Sequence, residues 1–179
     1  MLANYPPWPT IADGPLREAS RAQAEEFYAW FLAARGARIR ELCRVLPAFS
    51  HAPTRRELVD IGSQLATLLV NATYAAFHDD RAPHLTALVG DVGIWLGERI
   101  IAAAPGLAWR LALSHKKALG YQRPVLMGFA GLSPDYYVDV GFFVASWAEL
   151  AARGRRAAPD FLANIETSAL ADAAIMGCS

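Results

Sequence analysis

Apolar residues recur at helical spacing over most of the chain, most clearly after Thr54. They follow one another at steps of three and four and form one stripe, which predicts an amphipathic helix. Thr54 and Glu57 have the spacing of a capping box, in which each side chain accepts a hydrogen bond from the other residue's backbone amide. The sequence therefore predicts a helix that begins directly after Thr54. The stripe consists of Leu58, Ile61, Leu65, Leu68, Ala72 and Ala76.

Two more long helices are predicted in the first two thirds of the chain. Helix-forming residues surround the aromatic positions that follow Leu16, and Pro47 stops this pattern, so we expect a helix between them with Gly36 as a candidate break. A second apolar stripe predicts a helix over residues 83–104, which Pro105-Gly106 ends.

The pattern then changes to the period of a β-strand. Trp109, Leu111 and Leu113 alternate with other residues, and a second apolar run follows Arg123-Pro124. These segments predict an antiparallel hairpin of two strands, 108–114 and 124–129.

Two helices are predicted after the hairpin. Ser133-Pro134-Asp135 is typical of a helix start, with a capping serine, a proline in the first turn and a carboxylate near the positive end of the helix dipole. Arg153 and Gly154 are typical of its end. Pro159-Asp160 predicts the start of a C-terminal helix over residues 159–175.

Together these elements predict one domain over residues 1–179 of the α+β class, predominantly helical with a small antiparallel sheet. The length of 179 residues suits a single domain. We expect an extended N-terminal arm (1–12) anchored by Trp8, a helical part (13–104), a strand-strand-helix part (107–153) and the C-terminal helix. The expected core is Phe31, Leu58, Ile61, Leu65, Leu68, Leu88, Val92, Leu96, Ile100, Trp109, Leu111, Leu126, Phe142 and Trp147.

Three glycines, Gly90, Gly93 and Gly97, recur inside the predicted helix over 83–104. A glycine in a helix interior costs about 1 kcal/mol relative to alanine, so this run predicts a groove where another backbone packs closely. It is not a phosphate loop, because the Lys-Ser/Thr ending is missing. Glu98 follows the run, and we expect this carboxylate to be partly buried with Arg110 as its simplest partner.

Composition and charge exclude several classes of partner. The chain carries 17 Lys and Arg against 17 Asp and Glu, which gives no field for nucleic-acid binding. Its longest apolar stretch, 85–104, contains Asp91, Glu98 and Arg99, which argues against a membrane span. The hydrophobic fraction of 54% excludes global disorder and favours self-association as one alternative.

The cysteine usage indicates a cytoplasmic protein. Cys43 and Cys178 are too few for a disulfide framework, and the first nine residues lack the pattern of a signal peptide. Cys43 has three arginines nearby in sequence, Arg38, Arg40 and Arg44, which would lower its thiol pKa if they faced it. A reactive Cys43 is therefore an alternative to a small, inert core residue.

The strongest enzymatic alternative is a metal-dependent hydrolase with His51, His78 and Asp79 as ligands. Imidazole and carboxylate side chains suit a divalent ion that activates water. The order of a His, then a His-Asp pair, then a later Asp is similar to the ligand order of the all-helical HD phosphohydrolases. Their final aspartate would correspond to Asp91 or Asp135 in this chain. The other interpretation is that the His78 region is a solvated turn.

A polar segment between the two predicted strands is the candidate partner-binding surface. Tyrosine and arginine are enriched where protein surfaces bind each other, whereas an ordinary solvated loop is the alternative. The residues concerned are His115, Lys116, Lys117, Tyr121, Gln122 and Arg123.

Leu96-Gly97-Glu98, Trp109 and the segment 123–129 together resemble a recurring pattern of small bacterial α+β proteins of unknown function. Some of these proteins are immunity proteins of polymorphic or contact-dependent toxin systems. The resemblance covers residues 85–150 and implies a protein that acts by binding a protein partner, such as a toxin, with no cofactor. We therefore expect a binding or inhibitory protein without catalysis.

Overall fold

The computed structural model describes residues 5–12, 14–50, 52–71, 83–155 and 158–175. It confirms a mostly helical α+β domain with a two-stranded antiparallel sheet. Short 3-10 turns lie at Leu16–Glu18 and Pro47–Phe49. The α-helices and strands of these residues are α1 (Arg21–Val45), α2 (Arg55–Asn71), α3 (Pro83–Ala103), β1 (Ala108–Leu111), β2 (Pro124–Met127), α4 (Val140–Ala152) and α5 (Phe161–Ala174).

Helix α3 lies at the centre of the domain. It packs against α1, α4 and α5, while α2 packs against α4 and α5. Leu88, Val92, Leu96 and Ile100 on α3 are fully buried. A helix that is apolar on most of its faces has to be surrounded in this way. The expected core is confirmed except at Leu68, Leu111 and Phe142, which are only partly buried.

Helix α1 differs from the prediction at its start and at Gly36. The helix begins at Arg21 because Ser20 and Gln23 form a capping box, with Ser20 Oγ accepting from the Gln23 amide at 3.2 Å. Leu16 instead belongs to the preceding 3-10 turn. Gly36 does not break the helix, which continues to Val45 with buried residues on both sides of the glycine. The predicted capping box of Thr54 and Glu57 at the start of α2 is confirmed.

The sheet has the predicted antiparallel pairing but is shorter than predicted. Trp109 lies opposite Leu126, and Leu111 lies opposite Pro124. Leu126 also exchanges both backbone hydrogen bonds with Val138, at 2.9 and 3.0 Å. Both edges of β2 at Leu126 are therefore paired.

The prediction that the next helix starts at Ser133 is wrong. Val138 is held in an extended bridge to Leu126, so its backbone is not available for a helix. Helix α4 begins at Val140 instead, capped by Asp139, whose side chain accepts from the Phe142 amide at 2.8 Å. Its predicted end is confirmed by Gly154, which has a positive φ of 65°.

The C-terminal helix, α5, is confirmed, since it begins directly after Asp160. None of the helices that the structure describes is both long enough and apolar enough to cross a bilayer.

Candidate functional site

The glycine run of α3 makes room for three close neighbours. At Gly93, the backbone of Gly141 on α4 comes so near that an added Cβ would lie 3.1 Å from its Cα. At Gly90 and Gly97 the neighbours are the indole rings of Trp8 and Trp109, which an added Cβ would overlap. The predicted close approach of a backbone is therefore confirmed at Gly93, whereas side chains occupy the other two positions.

Asp91, beside this run, anchors the N-terminal arm through a buried cluster of hydrogen bonds. Trp8 donates its Nε1–H to Asp91 Oδ1 at 2.9 Å, and the Tyr5 hydroxyl donates to Oδ2. Arg38 donates from Nε and Nη2 to the same carboxylate, with a shortest distance of 2.6 Å. Its Nη2 also donates to the carbonyl of Pro6 at 2.8 Å. The expectation that Trp8 anchors the arm is confirmed.

The electrostatics of this cluster are those of a structural anchor. Burial raises the pKa of Asp91, and the donors Arg38, Tyr5 and Trp8 lower it in opposition. Burial also raises the pKa of the Tyr5 hydroxyl, and its hydrogen bond to Asp91 raises it further. Both oxygens of Asp91 are therefore occupied by donors that a metal ion would have to displace.

The metal hypothesis rests mainly on residues that lie outside the described part of the chain: His51, His78 and Asp79. Of the two aspartates considered as a final ligand, Asp91 is held by Arg38, and Asp135 is exposed. The residues that the structure describes contain no group of three or more side chains placed to hold a metal ion.

Glu98 joins α3 to α1 and β1. Its Oε1 accepts from Arg35 and from Trp109 Nε1, both at 2.8 Å. The partner is an arginine, as expected, but it is Arg35 and not Arg110. Neighbouring residues of a strand point to opposite faces, and in β1 Trp109 is the one turned inward. The Leu96-Gly97-Glu98 motif and Trp109 thus form one packed unit with a structural role.

A cavity of about 410 Å³ lies between the N-terminal arm, α1, α3 and the start of α4. We call it the Arg123 cavity. Its polar lining comes from Arg17, Arg123 and Asp139. The apolar lining includes Trp8, Leu16, Phe27, Phe31, Ile94, Trp109, Leu119 and Phe142.

An ion pair lies in the wall of this cavity. Arg123 Nε is 3.2 Å from Asp139 Oδ2, and the guanidinium lies over the Phe142 ring at 5.8 Å from its centre. Asp139 Oδ1 accepts from the Phe142 amide. Burial raises the pKa of Asp139, whereas Arg123 lowers it. The carboxylate and the ring therefore fix the direction of the guanidinium.

The segment from His115 to Arg123, which we call the cationic loop, has a fixed backbone. The Gln122 amide donates to Ala112 O at 2.7 Å, and the Ala112 amide donates to Arg123 O at 3.1 Å. Gly120 packs against the ring of Tyr137, close enough that an added Cβ would lie 2.6 Å from Cε2. Backbone bonds thus continue beyond the strands and close the loop at its base.

The predicted partner-binding residues divide into two groups. His115, Lys116 and Lys117 are exposed, while Tyr121 and Arg123 are partly buried. Gln122 does not belong to the exposed surface, since it is buried and donates from Nε2 to the carbonyls of Leu16 and Ala19 at 2.6 and 3.0 Å. Leu119, which lies in the same loop and was not among the predicted binding residues, is 59% exposed beside the cations.

Cys43 has the environment of an inert thiol. Burial raises its pKa, and its sulfur donates to the carbonyl of Phe49 at 3.2 Å. Of the nearby arginines, Arg38 turns to Asp91 and Arg44 pairs with Glu41. Arg40 is exposed, and none of the three arginines lowers the pKa of the Cys43 thiol, so the alternative of a reactive Cys43 is not supported.

In a Cys178→Ser variant, we expect Cys43 to react with a disulfide reagent about tenfold or more slowly than free cysteine at mildly alkaline pH, because the thiolate is disfavoured by burial. Absorbance of the released thiolate measures the rate. The same variant in denaturing guanidinium chloride serves as the control and should react as fast as free cysteine. Equal rates in the folded and denatured protein would contradict the prediction.

Asp139 and the Arg123 cavity are the features that sequence reasoning missed. An Asp three residues before Phe142 is a possible capping signal, but the complete signal at Ser133-Pro134-Asp135 competes with it. A comparison with known protein families, curated proteins and solved structures finds nothing that matches this chain.

Proposed function

We propose that this protein acts by binding another protein, without catalysis, and that the cationic loop is the surface it uses. The observation that carries the proposal is that the cationic loop has exposed, charged side chains while its backbone is held by contacts with the rest of the domain. Lys116 and Lys117 are exposed, while Gly120 and Gln122 hold the loop to the body of the domain.

A fixed loop favours binding because it is already ordered in the free protein, so little further conformational entropy is lost when the partner binds. Cationic side chains on such a loop favour an acidic partner and speed its encounter. Leu119 adds an apolar contact among them, as in interfaces where a polar rim surrounds apolar residues. The partner that fits this surface is a protein with an acidic patch around a small apolar recess.

The resemblance of residues 85–150 to immunity proteins favours an inhibitory role, with a toxin as the partner. Such a protein would meet its target in the bacterial cytoplasm, where Cys43 stays reduced. Arg123, which belongs to the resembling segment, lies at the end of the cationic loop and continues into the cavity wall.

Charge reversal tests the proposal. The double variant Lys116→Glu/Lys117→Glu is compared with wild type by cross-linking and mass spectrometry in cells that naturally contain the protein. We expect one protein to cross-link to the wild-type loop and its yield to fall about tenfold or more in the variant, because like charges then face the acidic patch. Sedimentation of the purified chain shows whether the partner is a second copy of the same chain. That outcome would point to self-association instead.

A matched control reverses two exposed cations elsewhere, Arg40 on α1 and Arg56 on α2. The variant Arg40→Glu/Arg56→Glu should retain the same partner. Equal loss in both double variants, or no loss in either, would contradict a role for the cationic loop.

A further inference from the structure

We propose that the Arg123 cavity binds a small apolar carboxylate, a ligand with a compact hydrocarbon body and one acid group. The cavity shares Leu119 and Arg123 with the cationic loop, but its ligand would bind between α1, α3 and α4, so the proposal does not depend on a protein partner.

The size and lining of the cavity suit a small molecule. Its volume of about 410 Å³ falls in the range of about 300–1,000 Å³ that is usual for ligand pockets. Aromatic side chains from two elements, Phe27 and Phe31 of α1 and Trp109 of β1, form much of the wall. Gly93 of α3 and Gly141 of α4, whose backbones lie in close contact, also line the cavity and add no side chain to it. The cavity therefore offers a mostly apolar surface with few polar groups, as ligand pockets do.

The cavity also has an access route. Leu119 lines it and is 59% exposed, and the side chain of Arg17, also in the lining, is 54% exposed. Both residues therefore lie at its mouth, where a ligand can enter from solvent.

Arg123 supplies the recognition of the acid group. Its Nε is the guanidinium nitrogen nearest to Asp139, at 3.2 Å, and the guanidinium makes no hydrogen bond to any residue that the structure describes. A guanidinium has five N–H donors in a fixed plane, and a carboxylate can accept two of them at once. The remaining donors of Arg123 are thus available to a ligand, while Asp139 and the Phe142 ring hold their direction.

Asp139 does not cancel this preference for an anion. Its side chain is only 7% exposed, and its Oδ1 already accepts from the Phe142 amide at the positive end of α4. Arg17 places a second guanidinium at the mouth of the cavity, where it also pairs with the exposed Glu18 at 3.3 Å. The side chain of Arg123 is 32% exposed and that of Asp139 only 7%, so the guanidinium is more accessible to an entering carboxylate than the oxygens of Asp139.

Calorimetric titration of the purified full chain tests the proposal with two probes of one skeleton, 4-phenylbutyrate and 4-phenylbutan-1-ol. We expect the acid to bind at one site and about tenfold or more tightly than the alcohol, because only the acid forms charge-assisted hydrogen bonds to Arg123. Equal affinity of the two probes, or no binding of the acid, would overturn the proposal.

Two variants locate the site. Arg123→Gln/Asp139→Asn removes both charges and keeps a capping side chain at the start of α4, so the fold is retained and the preference for the acid should disappear. Leu119→Trp narrows the mouth and should weaken both probes, whereas the matched variant Leu150→Trp alters a leucine of α4 that is also exposed but lies outside the lining. An unchanged preference for the acid in the double variant, or equal weakening by both tryptophans, would also overturn the assignment.

Discussion

Replacing Arg38 by methionine is expected to lower the free energy of unfolding by about 3–5 kcal/mol, because it leaves a buried carboxylate without its cationic partner. Asp91 is fully buried, and Arg38 makes its only salt bridge among the described residues. Tyr5 and Trp8 would still donate to Asp91, but neither carries a charge. Urea unfolding at neutral pH measures the loss.

The matched control is Arg44→Met, which removes an arginine of the same helix whose side chain is 67% exposed in its pair with Glu41. Its expected cost is about 0–1 kcal/mol, as for other surface ion pairs. Similar losses in the two variants would show that the buried cluster adds little to stability.

The cost of Arg38→Met should also depend on pH. Burial raises the pKa of Asp91, and Arg38 opposes that rise. Without Arg38 the pKa of Asp91 in the folded protein lies further above its value in the unfolded chain, so the folded protein takes up a proton there more readily. The contribution of Asp91 to the stability of the variant therefore increases as the pH falls through that raised pKa. The difference from wild type should therefore shrink on acidification.

Replacing Gly97 by alanine is expected to lower the free energy of unfolding by about 1–3 kcal/mol, in spite of the better helix propensity of alanine. The added Cβ would overlap the indole ring of Trp109. That ring has little freedom to move, because it donates to Glu98 at 2.8 Å and packs edge-on against Phe31 at 5.0 Å. Thermal and urea unfolding both measure the change.

Gly36→Ala is the control for this substitution. At Gly36 an added Cβ would meet only the flexible end of Arg40, at 3.5 Å. The same chemical change should there raise the free energy of unfolding by about 0.5–1 kcal/mol, since alanine favours the helix. Equal effects at the two positions would mean that the Trp109 contact does not restrict Gly97.

Local signals in the sequence predicted the elements that depend on neighbouring residues. The Thr54–Glu57 capping box, the glycine at the end of α4 and the period-two segments at Trp109 and Leu126 all act over a few residues. The start of α4 was missed because a distant backbone partner, Leu126, keeps Val138 extended and outweighs the complete local signal at Ser133.

The candidate site was less predictable for the same physical reason. The positive charges of Lys116 and Lys117 can be read from the sequence, and the structure shows that both side chains are exposed. The burial of Gln122 depends on two carbonyls more than a hundred positions earlier, those of Leu16 and Ala19. The Arg123 cavity arises only when residues from distant parts of the chain, between Trp8 and Phe142, come together, which no local pattern encodes.

The attachment of the N-terminal arm has a practical consequence for protein engineering. Trp8 covers Gly90, Tyr5 shares Asp91 with Arg38, and Trp8 also belongs to the cavity lining. Shortening the chain past Trp8 to aid crystallisation would uncover the helix at Gly90 and open one side of the cavity. Affinity tags and fluorescent fusions therefore belong at the opposite terminus, where they leave this arm in place.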